Sequence, residues 1–134
     1  MSSFRLSVVA PDRTVVDDEV QSLIAPGHDG YLGVLRGHIP LIVALKPGLL
    51  EYRDLNGERE TVAIGGGFME VDGEHVTVLA DQAERSRDID LKSAEASLDR
   101  ARRALRGEDS SMTSDEATRE MEIALNRIKA ARSA

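Results

Sequence analysis

Histidines are the side chains of this sequence best suited to hold a metal ion or carry a proton near neutral pH, and there are three: His28, His38 and His75. His28 precedes Asp29 and shares with His38 a segment rich in glycine and proline. Zinc sites commonly use close-spaced pairs of such ligands on one element. No such pair is visible, so we interpret the histidines as loop or interface residues and predict no metal site.

A run of three glycines at 65–67 is the only candidate for a phosphate-binding loop. Such loops normally open a helix and bring a lysine followed by serine or threonine. Here residues 68–71 read Phe-Met-Glu-Val, which is typical of a strand. We therefore interpret the glycines as a bulge or strand bend where two backbones pass close to each other.

Catalytic groups are otherwise hard to assemble from this sequence. No serine, histidine and aspartate arrangement is recognisable, and the neighbouring Asp17 and Asp18 lie in a polar stretch with nothing to raise a pKa. The chain has no cysteine, which excludes a disulfide scaffold, a thiolate nucleophile and cysteine-ligated zinc. We predict no catalytic residue and no enzymatic activity.

The composition narrows the class of partner. The chain of 134 residues is 41% hydrophobic and 31% charged, which is typical of a globular protein. Its net charge of −7 and its 3% aromatic content argue against nucleic-acid binding, which needs a basic surface and stacking rings. No apolar run approaches the roughly 20 residues of a membrane span, and the start lacks a secretory pattern. We expect a soluble chain that meets membranes only through partners.

The elements that carry these residues divide into two parts. Up to about residue 82 apolar residues alternate with a period of two, as in Phe4, Leu6 and Val8, and Asn-Gly and Asp-Gly pairs mark hairpin turns. No segment there resembles a crossover helix, so the strands should pair mainly antiparallel in a sandwich or flattened barrel.

From Asp88 onward the apolar spacing becomes helical. Two seams rich in alanine are separated by a polar loop, with Gly107 suited to end the first helix and residues 113–116 forming a capping box for the second. This pattern predicts an antiparallel two-helix hairpin. Because alanine buries little area, the hairpin should be only marginally stable and able to open onto a partner.

Arginines are concentrated on the first of these helices. Such a face can dock on an acidic partner through forked hydrogen bonds, or it can be a solvated face with pairs such as Asp99–Arg103. Both interpretations stay open at this point. The four arginines are Arg100, Arg102, Arg103 and Arg106.

Residues 26–48 resemble the most characteristic segment of the epsilon subunit of F-type, proton-translocating ATP synthase. The shared core is Gly-x-Leu-Gly-x-x-x-Gly-His-x-Pro-Leu, followed by Leu-Lys-Pro-Gly. Residues 66–71 and 76–81 resemble the family's Gly-Gly-Phe-x-Glu-Val and Val-Thr-x-Leu-Ala-Asp segments. The resemblance extends in one order over nearly the whole chain.

This resemblance implies an N-terminal antiparallel β-sandwich of about ten strands at 1–87, which docks the gamma subunit and the c-ring, and a C-terminal antiparallel helical hairpin at 88–134. It implies a non-catalytic subunit of the central stalk that couples c-ring rotation to ATP synthesis in the αβ head. The hairpin would inhibit ATP hydrolysis by contacting the β subunit. The alternative is a freestanding β-sandwich binding module that oligomerises through its hairpin.

The resemblance also assigns interface residues. The four arginines of the first predicted helix, Arg100, Arg102, Arg103 and Arg106, would contact the β subunit. The gamma interface would comprise Gly37, His38, Ile39 and Pro40. The c-ring interface would comprise Asp29, Gly30, Tyr31, Leu32 and Gly33, with Tyr31 where some family members have an acidic residue. The location implied is the cytoplasmic face of a bacterial plasma membrane, as a peripheral subunit, with a thylakoid membrane as the alternative.

Some bacterial family members bind ATP on the hairpin through an Ile/Leu-Asp-x-x-Arg-Ala motif. This sequence keeps Ile89, Asp90 and Ala94 but has Ser93 in place of the arginine. A hydroxyl lacks the charge and the fork of a guanidinium, so we expect weakened nucleotide binding. No cofactor is predicted, and regulatory ATP stays an open alternative.

Overall fold

The computed structural model describes residues 2–133, and it contains a closed β-structure followed by two helices. The polar loop at 106–113 joins the helices, and a short 3-10 turn, Ser86–Asp88, precedes them. The elements are β1 (Phe4–Ala10), β2 (Arg13–Gly27), β3 (Gly30–Val34), β4 (Leu41–Asp54), β5 (Arg59–Asp72), β6 (His75–Ala80), β7 (Ala83–Arg85), α1 (Leu91–Leu105) and α2 (Ser114–Ser133).

The strands form a flattened barrel. They follow the order β1-β6-β5-β4-β2, and β1 also pairs with β2, which closes the sheet on itself. In addition, β3 pairs with β2 and β7 pairs with β5. All pairings are antiparallel except β1 with β6, which are parallel because most of the barrel separates them in the chain. We call residues 2–87 the barrel and residues 88–133 the hairpin.

The predicted fold class is confirmed, with seven strands rather than about ten. Three strands, β2, β4 and β5, are each 14 or 15 residues long. They continue through bends and register shifts, such as those between Val20 and Ser22 and between Ile24 and Gly27 in β2. Each of these long, bent strands therefore occupies the place of two shorter strands.

The core of the barrel follows the period of two. Phe4, Leu6 and Val8 are almost completely buried, and Val76 and Val78 of β6 are buried beside them. Each such side chain contributes about 1.5–3 kcal/mol when it is fully removed from water. Alternation therefore specifies both the strands and the side of the sheet that faces inward.

The glycine run at 65–67 is a strand bend, as predicted. Gly66 and Gly67 have φ values of +101° and +138°, which side chains rarely adopt. A Cβ atom on Gly67 would lie 2.1 Å from the carbonyl oxygen of Leu79, so only glycine allows β5 to pass this close to β6. The run lies within β5 and opens no helix.

The helix ends are also as the sequence predicted. Gly107, with φ at +79°, ends α1. Thr113 and Glu116 form a reciprocal capping box, with N–H to side-chain oxygen distances of 3.0 and 3.1 Å. The N–H of Thr113, donated to the Glu116 carboxylate, holds the pKa of that carboxyl below its usual value.

The helices pack on each other through alanine, and α2 alone carries a second buried face. Ala94 and Ala101 of α1 and Ala117 and Ala124 of α2 are almost completely buried. Ile123 and Ala130 of α2 are buried too, although the sequence analysis assigned each helix a single seam. The second face arises because α2 packs on β4 and β5 as well as on α1.

Arg85, at the end of β7, forms hydrogen bonds to β2 and β4 of the barrel. Its guanidinium donates to the Tyr52 hydroxyl at 3.1 Å and to the Val15 carbonyl at 3.0 Å, and it lies 3.6 Å from an Asp18 carboxylate oxygen. Burial, the largest influence, raises the pKa of the Tyr52 phenol. The chain is therefore anchored to the barrel just before the hairpin begins.

Replacing Gly67 with alanine is expected to lower the free energy of unfolding by about 2 kcal/mol or more, because the new Cβ would overlap a backbone oxygen at a strained φ. Gly33→Ala is the matched control, since its Cβ would have no heavy atom within 4 Å. Chemical denaturation measures both variants, and equally small losses would contradict the close passage.

Replacing Tyr52 with phenylalanine is expected to cost about 1–2 kcal/mol at neutral pH, because the Arg85 donor loses its acceptor. Because the pKa of the phenol is raised in the folded state, the neutral phenol contributes to the stability of that state. This contribution is present in full below pH ~10 and is lost as the pH rises through the folded-state pKa. The stability gap between wild type and variant should therefore narrow in alkali.

Denaturation curves recorded below and above the pH at which the Tyr52 phenol ionises measure the difference in free energy of unfolding between wild type and variant. Tyr31→Phe, which alters an exposed phenol on β3, is the control and should show no such narrowing. A constant gap for the Tyr52 variant would contradict the linkage.

Candidate functional site

The histidines are separate in the structure. His28 lies on a turn 3.7 Å from the Asp29 carboxylate, His38 contacts the carbonyl of Ile39 at 2.8 Å, and His75 lies 3.4 Å from the Ser7 hydroxyl. Within residues 2–133, the groups close enough to share a metal ion are limited to one carboxylate cluster at the β4–β5 turn.

That cluster comprises Asp54, Glu58 and Glu60. The Asp54 carboxylate already accepts hydrogen bonds from the N–H groups of Asn56 and Glu58, at 2.8 and 3.0 Å. These bonds stabilise the turn, as aspartate commonly does. The cluster is therefore explained by local structure.

The residues that the resemblance assigned to the c-ring lie together on one hairpin. Asp29 occupies the β2–β3 turn, and Gly30 to Gly33 belong to β3, which pairs with the end of β2. Tyr31 is exposed, whereas Leu32 packs partly against the core. These five consecutive residues thus form the tip of the β2–β3 hairpin.

The residues assigned to gamma form the connection from β3 to β4. Gly37 has φ at +82°, and the N–H of His38 donates to the Leu35 carbonyl at 3.1 Å, so the segment turns tightly. Ile39 and Pro40 are exposed beyond that turn. The segment leads directly into the outer surface of β4.

An apolar face that the sequence analysis missed adjoins this connection. Phe68 of β5 lies directly opposite Leu79 of β6, and each is 58% exposed; Ile42 of β4, diagonal to Phe68, is 72% exposed. We call Ile42, Phe68 and Leu79 the apolar face. Apolar clusters of this kind on a surface commonly mark protein interfaces.

The sequence did contain a signal for this face. Phe68 precedes the buried Met69, and Leu79 follows the buried Val78, so apolar residues occupy both phases of a period-two strand. An outward position in a one-sided sheet would normally be polar.

The four α1 arginines are all exposed, on the side of the helix turned away from its buried alanines. They occupy an arc of about 160° when α1 is viewed down its axis. Arg103 pairs with Asp99 at 3.1 Å, as the solvated interpretation predicted, and Arg106 pairs with Glu108. Arg100 and Arg102 form no ion pair with any residue from 2 to 133.

The residues retained from the ATP-binding motif have structural roles. Ile89 packs on a small cluster that includes Leu49 and Ala130. The Asp90 carboxylate caps α1, accepting the N–H of Ser93 at 3.2 Å, and Ala94 is completely buried. Nucleotide binding by these residues stays a prediction.

The hairpin rests on the barrel through α2, an interface that sequence reasoning did not identify. Ile123 and Ala130 face the barrel, where Leu49 and Ala63 are covered by the helix. Arg127 pairs with Glu84 of β7, and Arg119 reaches the carbonyl of Gly65. Local spacing offered no signal for these pairs, since their members are 43 and 54 residues apart.

None of the helices formed by residues 2–133 has the length and hydropathy of a bilayer-spanning segment.

Comparisons with known proteins identify the same family over nearly the whole chain. A family model described as "ATP synthase, Delta/Epsilon chain, beta-sandwich domain" matches residues 3–86. The ATP synthase epsilon chain of Desulforamulus reducens is 42% identical over 127 residues, covering 95% of this chain and 96% of that one. The chloroplastic epsilon chain of Porphyra purpurea is 39% identical, covering 98% of each.

Among solved structures, a chain in the mitochondrial ATP synthase of Euglena gracilis, determined as an OSCP/F1/c-ring assembly, superimposes with a TM-score of 0.82. The two share 24% identity, and the match covers 98% of this chain and 82% of that one, which supports the fold. The resemblance seen in the sequence is confirmed, and this chain belongs to the ATP synthase epsilon chain family, whose members are non-catalytic subunits of the central stalk.

Proposed function

We propose that this subunit couples c-ring rotation to ATP synthesis in the αβ head, with residues 1–87 attached to gamma and the c-ring and residues 88–134 restraining ATP hydrolysis. The observation that carries the proposal is the apolar face, which leaves three large side chains of neighbouring strands exposed to water on one side of the barrel. Family membership identifies the complex in which such a face would be covered.

The apolar face and the adjoining connection at 37–40 are the proposed gamma interface. Ile42, Phe68 and Leu79 come from three neighbouring strands, so a single partner surface can cover all of them. Burying apolar surface contributes roughly 25 cal/mol per Å². Ile39, exposed next to this face, would extend the contact toward His38.

The tip at 29–33 is the proposed c-ring contact. Gly30 and Gly33 have no heavy atom within 4 Å of where a Cβ would stand, so the tip is slender and open to a neighbour. Tyr31 presents an aromatic ring with a hydroxyl, which suits an interface of mixed polarity.

The α1 arginines are the proposed contact with the β subunit. Arg100 and Arg102 are available for an acidic segment, whereas Arg103 and Arg106 would exchange intramolecular partners for new ones. Exposed pairs such as Asp99–Arg103 stabilise by only about 0.3–0.5 kcal/mol, so this exchange costs little.

The proposed location is the cytoplasmic face of a bacterial plasma membrane, with attachment through the complex. Its support is that close relatives include bacterial chains, such as that of Moorella thermoacetica at 41% identity. A thylakoid membrane is the alternative that the chloroplastic relative supports.

Replacing Phe68 with serine is expected to weaken gamma binding by more than about tenfold, because truncating an aromatic anchor at the centre of an interface costs about 2 kcal/mol or more. Leu55→Ser is the matched control, since Leu55 is an exposed leucine at the β4–β5 turn, outside the apolar face. Calorimetric titration with gamma measures both, and equal affinities would place gamma elsewhere.

Removing residues 88–134 is expected to leave gamma binding intact and to raise ATP hydrolysis by the catalytic head complex, because the proposed brake is absent. Steady-state ATPase assays compare the complex reconstituted with the full chain and with residues 1–87. Unchanged hydrolysis with gamma still bound would mean that the subunit only couples and does not inhibit.

A further inference from the structure

We propose that two arginines of α2, Arg119 and Arg127, form an electrostatic latch that determines how readily the hairpin leaves the barrel. We call these arginines, together with their acceptors Gly65, Asp81 and Glu84, the latch. Its regulatory meaning rests on the proposed function of the hairpin as a movable brake on ATP hydrolysis.

The stronger half of the latch is the pair between Arg127 and Glu84. The guanidinium Nε lies 2.6 Å from Oε1, and Nη2 lies 3.4 Å from Oε2, so the contact is two-pronged. The side chains are only 16% and 31% exposed. Solvent therefore screens the pair weakly, and removing one partner would leave the other charged and poorly hydrated.

The second half is Arg119, which makes two contacts through one nitrogen. Its Nη2 donates to the Gly65 carbonyl at 2.7 Å and lies 3.2 Å from the Asp81 carboxylate. This carboxylate pair is half exposed and should respond to salt. A Cβ on Gly65 would lie 3.4 Å from the Ile123 Cδ1 atom, so α2 packs in direct contact with this part of β5.

The latch residues form one stripe along α2. Arg119, Ile123 and Arg127 are spaced four residues apart, and Ala130 follows three residues later. All four fall within an arc of about 80° on the helix. The barrel supplies both carboxylates from one short segment, residues 81–84. One face of one helix therefore brings both arginines to the two carboxylates.

Apolar packing at this contact involves few large side chains. Ile123 is the only large apolar side chain that the stripe brings, and the small cluster beneath the helix otherwise pairs Ala130 with Leu49 and Ala63. Because alanine removes little apolar area from water, the two arginine contacts are needed beside Ile123 and Leu49 to keep α2 docked. Opening exposes few apolar groups, so it is accessible without unfolding the barrel.

The absence of cysteine from the chain provides a direct measure of opening. A single thiol introduced by Leu49→Cys would lie beneath α2, and its rate of labelling by a neutral reagent reports the fraction of open molecules. A thiol introduced by Ala25→Cys, in the interior of the barrel, reports unfolding of the barrel itself. Both are measured in the full chain.

In the Leu49→Cys background, Arg127→Glu is expected to accelerate labelling by at least about tenfold, because two carboxylates would then face each other. Arg119→Ala should give a smaller increase, since its pair is more exposed. Combining Glu84→Arg with Arg127→Glu restores opposite charges and should bring the rate back toward that of the parent. Asp17→Lys, which breaks the Arg5–Asp17 pair within the barrel, is the matched control and should change nothing.

Equal labelling rates in the parent, the Arg127 variant and the exchanged variant would overturn the latch. If Arg127→Glu fails to fold, which Ala25→Cys labelling would reveal, Arg127→Gln supplies the same comparison. ATPase assays of the reconstituted head complex separate the two proposals. Faster labelling with unchanged hydrolysis would support the latch and overturn the brake, whereas unchanged labelling overturns the latch whatever the hydrolysis rate.

Discussion

The close passage of β5 over β6 at Gly67 is the constraint on which the rest of the structure depends. It requires a residue without a side chain, because the Leu79 carbonyl occupies the place of a Cβ. The bend divides β5 into two parts that serve different surfaces. Before it, Ala63 and the Gly65 carbonyl face α2; after it, Phe68 turns outward onto the apolar face. One backbone contact thus links the hairpin's resting place to the proposed gamma interface.

Local patterns in the sequence predicted the local parts of the structure. The period of two predicted the core through Phe4, Leu6 and Val8, and the Thr113–Glu116 capping box and Gly107 predicted the helix ends. Long-range contacts could not be predicted in this way. Nothing in the spacing of α2 distinguishes Arg127, which meets a carboxylate 43 residues away, from an arginine in solvent.

The two parts of the chain are stabilised by different means. The barrel is held by large buried apolar side chains and by a closed network of strand pairs. The hairpin holds itself together through alanine contacts and meets the barrel through a stripe made of two arginines, Ile123 and Ala130. Such contrast lets one part keep its shape while the other changes its position.

The anchoring of Arg85 to Tyr52, together with the Arg87–Glu60 pair at 3.1 Å, also sets a pivot. We place the start of hairpin motion just beyond these contacts, near Ile89. At 1.5 Å per residue, α1 is about 22 Å long and α2 about 30 Å. An intact hairpin swinging from this pivot therefore extends no farther than about 22 Å, whereas helices placed end to end extend roughly 50 Å. The reach of this subunit is thus decided by whether its two helices stay together.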